Sequence, residues 1–85
     1  MSNHVLTIPY PDDLLLSLKK NPQEFEAEAR LLLAVKLYEM GRVSTGIAAQ
    51  LAGLERVAFM FELAHFGLSP IGQDPEELAE DFANA

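Results

Sequence analysis

Apolar residues recur along the chain with two different spacings, and turn residues separate the runs. Over residues 4–10 the run Val5-Leu6-Thr7-Ile8 is β-prone. Pro9 and Pro11 close it, because neither can donate to a sheet ladder. The pattern predicts a short N-terminal β arm. A lone strand leaves its backbone groups unpaired, so the expected partner is the same strand of a second copy. An extended arm packed through Leu6 and Ile8 is the alternative. Asp12 or Asp13 is then placed to cap a short helix over residues 14–20, with Leu14, Leu15 and Leu18 on its apolar side. Asn21-Pro22-Gln23-Glu24 joins a cap, a proline at the first helical position and a capping-box glutamate. The helix it opens is expected to reach about Met40 and to stop at Gly41. Phe25, Ala29, Leu32 and Val35 share one side. Leu33, Leu37 and Met40 widen the stripe, and Leu31 and Tyr38 make it too broad for a helix buried on one face. A homodimer packed through this helix, with the arms paired near Val5, Leu6 and Ile8, would cover the excess.

Residues 44–67, STGIAAQLAGLERVAFMFELAHFG, read as a helix-turn-helix. Ser44 or Thr45 caps its first helix. Ala48 and Ala49 are small enough to let a second helix cross closely, and Gly53 can take the positive φ that ends one helix and admits the next. Ile47 and Leu51 lie on one face of the first helix. Phe59, Leu63 and Phe66 lie on one face of the second, which spans residues 56–66 and stops at Gly67. Asp74-Pro75-Glu76-Glu77 then opens a short acidic helix anchored by Leu78 and Phe82, suited to folding onto a partner. The expected fold class is all-α with a short N-terminal β arm, in one domain over residues 1–85. Residues 1–41 form the arm and a leucine-rich helical pair for dimerisation. Residues 42–67 form the helix-turn-helix, and residues 68–85 the acidic C-terminal segment.

Length sharpens the case for a dimer. A chain of 85 residues buries only about 60–65% of its unfolded surface on folding, so association helps. Cysteine is absent, which removes disulfides and thiolate metal sites. No signal peptide and no bilayer-length apolar run is seen, so the expected location is cytoplasmic, with no membrane partner. The charge of −7 is uneven. Residues 1–42 carry five basic and six acidic side chains, a balance of −1, and residues 43–85 carry one and seven, a balance of −6. A protein that works alone on DNA usually shows a basic face.

Groups able to meet DNA are few: Arg42, the Ser44 and Thr45 hydroxyls at a helix start, and Arg56. Val57, Met60, Phe61 and Ala64 give the second helix another apolar surface. Burying the three larger side chains is worth about 1.5–3 kcal/mol each, against about 1–3 kcal/mol of discrimination from one arginine on a base. Val57, Met60 and Phe61 are therefore expected against protein, with DNA binding weak in the protein alone. His4 and His65 have no partner at ligand or triad spacing, and neither phosphate-loop nor dinucleotide fingerprint occurs. Catalysis, cofactors and metals are not expected.

The order of these blocks resembles an uncharacterised family of small prokaryotic helix-turn-helix proteins of the antitoxin type, often associated with PIN-domain ribonuclease toxins. The most specific pieces are LLLAVKLYEMGRVS and GIAAQLAGLERVAF. The resemblance implies a dimeric, non-enzymatic, autoregulating antitoxin that binds operator DNA and a toxin. Ile47 stands where many members have a basic residue, and Glu55 where they often have a serine cap. Both changes remove phosphate-friendly groups. The rival reading is a protein-interaction module in which the helix-turn-helix is kept as a packing unit.

Overall fold

A computed structural model describes residues 3–68 of the chain. Four helices follow one another: α1 (Asp12–Leu18), α2 (Pro22–Glu39), α3 (Thr45–Ala52) and α4 (Arg56–His65). The expected acidic helix, with Leu78 and Phe82, lies outside the described residues.

Local chemistry sets the helix ends. At α2 the Glu24 amide donates to Asn21 Oδ1 at 2.8 Å, and the Asn21 amide donates to Glu24 Oε1 at 3.0 Å. This is the reciprocal box that the sequence spells, and it satisfies two otherwise orphaned donors. At the other end the Gly41 amide donates to Tyr38 O and the Arg42 amide to Leu37 O, both at 2.9 Å, with Gly41 at φ 73°. The same closure ends α4, where Gly67 stands at φ 75° and the Leu68 amide donates to Leu63 O at 2.9 Å. These are Schellman closures, which favour glycine because its backbone reaches positive φ without strain.

The start of α1 differs from expectation. Pro11, not an aspartate, is its N-cap, with no side-chain cap bond. The Leu14 amide donates to Pro11 O at 3.1 Å, so the helix begins earlier. Asp12 and Asp13 fall in the first turn, where the helix dipole favours negative charge. Among the described residues there is no strand: residues 3–11 run without regular structure. Val5, Leu6 and Ile8 are 88%, 69% and 62% exposed, so the single chain does not pack the arm down.

The core lies between α2, α3 and α4. Ala34, Val35 and Tyr38 of α2 meet Ala48 and Ala49 of α3 and Phe59 and Leu63 of α4. The Tyr38 and Phe59 rings meet edge to face, with centroids 6.4 Å apart. Alanines from both α2 and α3 are fully enclosed, which is what close crossing requires. Leu32, Leu33 and Met40, expected in the buried stripe, are exposed. The stripe turns further round α2 than expected because α3 packs over Ala34 and Tyr38. None of the side chains of α1 is buried, and α1 rests lightly on α2.

Candidate interface on α3 and α4

The unit that could recognise a macromolecule is built around the turn from α3 to α4. Gly53 caps α3 at φ 76°, and the Leu54 amide reaches back to Ala49 O at 2.9 Å. From α2, Arg30 reaches over the same turn. Its Nε donates to Leu51 O at 2.9 Å and its Nη2 to Gln50 O at 3.5 Å. A cation there complements the negative end of α3, where Gln50 O also accepts from the Gly53 amide at 3.0 Å. A Cβ on Gly53 would sit 3.1 Å from Arg30 Nη1, so the guanidinium packs closely over the glycine. Sequence reading missed Arg30. The available signal was indirect: a glycine-terminated helix leaves carbonyls that attract a cation, but nothing in the spacing says which cation.

Around this turn the residues expected to meet DNA are placed unequally. Ser44 caps α3, its hydroxyl accepting from the Ile47 amide at 3.3 Å. Thr45 is 1% exposed, so its hydroxyl is enclosed and is not offered to a phosphate. That position turns inward because it is the first residue of α3, on the side packed into the core. Arg42 stands exposed just past the end of α2. Arg56 opens α4 half-buried and already interacts within the protein. Arg42 and Ser44 are neighbours in the loop before α3, whereas Arg56 comes from the start of α4.

The outward surface of α4 is apolar. Val57 is 63% exposed and Phe61 67%, one turn apart. Ala58 and Ala64 are exposed beside them, and Met60 is half-buried. Glu55 stands exposed before the helix and gives it no side-chain cap. His65 Nδ1 lies 3.9 Å from Glu62 Oε2 near the far end. The surface is thus an aliphatic and aromatic strip between carboxylates, which suits a protein surface better than a phosphate backbone.

A second cluster holds the root of the arm. Tyr10 Oη donates to Glu26 Oε2 at 2.6 Å, and the Tyr10 ring meets Phe25 edge to face at 4.9 Å. The hydrogen bond to Glu26 is the main reason the Tyr10 hydroxyl titrates above its ordinary value. Lys20 and Glu28 pair at 3.0 Å nearby. Among the described residues no group of three or more acidic or histidine side chains could hold a metal ion, and no helix is long and apolar enough to cross a membrane.

Comparison with known proteins places this chain in a family. Residues 1–85 match the uncharacterised protein family UPF0175. A UPF0175 protein of Archaeoglobus fulgidus is 39% identical over 72 residues, covering 85% of this chain and 79% of the relative. One of Aeropyrum pernix is 42% identical over 64 residues, covering 75% and 71%. No solved structure matches the chain. The chain belongs to UPF0175.

Proposed function

We propose, for this member of UPF0175, a role as a non-catalytic, cytoplasmic regulatory protein of the antitoxin type. It works as a homodimer. Its α3–α4 unit acts as a helix-turn-helix on operator DNA, and a protein partner, a PIN-domain ribonuclease in this reading, takes the α4 strip and the C-terminal segment. The observation that carries the proposal is the turn itself. Ala48 and Ala49 lie enclosed under α4, Gly53 is in the left-handed conformation, and Arg30 holds the turn from behind. This is the compact geometry a recognition unit needs. Arg42, Ser44 and Arg56 supply the phosphate contacts.

DNA binding in this reading is weak without the partner, since residues 43–85 carry a net −6 and few cations can release counterions. The test is fluorescence anisotropy on a duplex from the region upstream of the protein's own gene, across a salt series. Binding at low salt with a shallow salt slope, reduced by Arg42→Ala and by Arg56→Ala, is the expected result. No binding at low salt would sink the DNA part and leave the second reading, an interaction module. Submicromolar affinity for random duplex at physiological salt would contradict the weakness of binding. The second reading is favoured by one observation, the exposed apolar strip of Val57 and Phe61.

A further inference from the structure

Burial divides the chain at one point. Every buried residue among those described falls at position 34 or later. Residues 3–33 contain no buried side chain, yet Val5, Leu6, Ile8, Leu16, Leu32 and Leu33 are all exposed there. The α2–α3–α4 core closes within one chain, whereas the arm, α1 and the middle of α2 present these large apolar side chains on the surface.

We propose that a second copy of this chain covers that surface, and that the two arms pair as an antiparallel two-stranded ribbon centred on Leu6. The inference rests on the homodimer of the reading above and specifies its interface. Three observations on the arm and its surroundings favour this occupant. First, residues 1–11 contain no Lys, Arg, Asp or Glu, so the arm lacks the charges that protect free strand edges from pairing. Second, no backbone hydrogen bond among the described residues engages residues 3–10, which leaves their donors and acceptors open to a ladder. Third, the root is held. The Tyr10 bond to Glu26 at 2.6 Å and its ring contact with Phe25 at 4.9 Å fix where the arm leaves α2.

Symmetry restricts the register. A two-fold axis perpendicular to an antiparallel pair keeps each residue on its own face, so opposed positions share parity. Centring on Leu6 sets it opposite its own copy, His4 opposite Ile8 of the second copy, and Val5 opposite Thr7. Leu6 and Ile8 of both strands then share one face of the ribbon. Pro9 falls at the ends of the ribbon, where its missing donor costs no central bond.

The natural absence of cysteine makes a clean test. Leu6→Cys and Val5→Cys are made in the full chain, and each is oxidised at tens of micromolar. Sedimentation of the wild type should give a dimer of the 9.4 kDa chain. Leu6→Cys should cross-link to completion well before Val5→Cys, because only position 6 meets itself across the ribbon. Leu6→Glu with Ile8→Glu should sediment as a monomer with the helical circular dichroism retained. A monomeric wild type overturns both this inference and the homodimer. A dimeric wild type in which Leu6→Cys cross-links no faster than Val5→Cys, or in which the double glutamate variant stays dimeric, overturns the ribbon and leaves the homodimer standing.

Discussion

Replacing Gly53 by alanine probes the turn from α3 to α4 through two separable effects. Gly53 stands at φ 76°, where an alanine is strained by roughly 1–2 kcal/mol. Alanine also restricts the unfolded chain, which returns about 0.4–1 kcal/mol. The added Cβ would lie 3.1, 3.2 and 3.3 Å from Arg30 Nη1, Cζ and Nη2, so the guanidinium must shift. That shift loosens its bonds to Leu51 O and Gln50 O, and an exposed hydrogen bond of this kind is worth about 0.5–1.5 kcal/mol. The net cost of Gly53→Ala is therefore about 2 kcal/mol. In an Arg30→Ala background the guanidinium is gone and the same change costs about 1 kcal/mol. Urea unfolding followed by circular dichroism measures all four corners of the cycle. If Gly53→Ala costs the same with and without Arg30, to within ~0.3 kcal/mol, the two residues are uncoupled and the packing account is wrong.

Three further outcomes follow from particular contacts. Phe59 is fully buried against Tyr38, so Phe59→Ala should cost about 3–5 kcal/mol, measured by the same urea titration; a loss under ~1 kcal/mol would show that the core is not centred there. Asn21→Ala removes one bond of the α2 capping box and should cost about 1 kcal/mol, and no change would show the box to be incidental. Tyr10 donates its proton to Glu26 and titrates above its ordinary value, so the contact is complete below pH ~10 and is lost as pH rises through the raised value in the folded protein. The difference in tyrosinate absorbance between the wild type and Tyr10→Phe should rise only above pH ~10.

Helix ends were legible because caps are local. Asn21-Pro22-Gln23-Glu24, Ser44, Gly41, Gly53 and Gly67 each carry their signal within one turn of where it acts. The start of α1 misled because two aspartates compete for one cap, and Pro11 O supplied the first helical acceptor instead. The buried face of α2 was harder. Its apolar residues cover so much of the helix that periodicity does not select a face, and the choice is made by α3 packing over Ala34 and Tyr38. Thr45 looked like a surface hydroxyl because the sequence cannot tell which side of a capped helix start turns inward. Arg30 and Gly53 are 23 positions apart in sequence, so their contact left no local trace.

Phe61 decides which macromolecule the α4 strip meets. With 67% of Phe61 and 63% of Val57 exposed, covering them has most of the ~1.5–3 kcal/mol per side chain still to gain. Arg56, the cation on this helix, already interacts within the protein and would have to give up that interaction to contribute ~1–3 kcal/mol of base discrimination. The strip therefore gains more against protein than in a groove. Phe61→Lys turns this comparison into a measurement. Because the side chain is exposed and outside the core, stability in urea should change by no more than ~0.5 kcal/mol. If α4 lay in the groove through this face, the new ammonium would meet phosphate, and the slope of log affinity against log salt would steepen by about one. The proposal that protein takes this face requires the slope to stay as it is in the wild type, with DNA held from the Arg42 and Ser44 side. A steeper slope with tighter binding would assign Val57 and Phe61 to the DNA and remove the partner from α4.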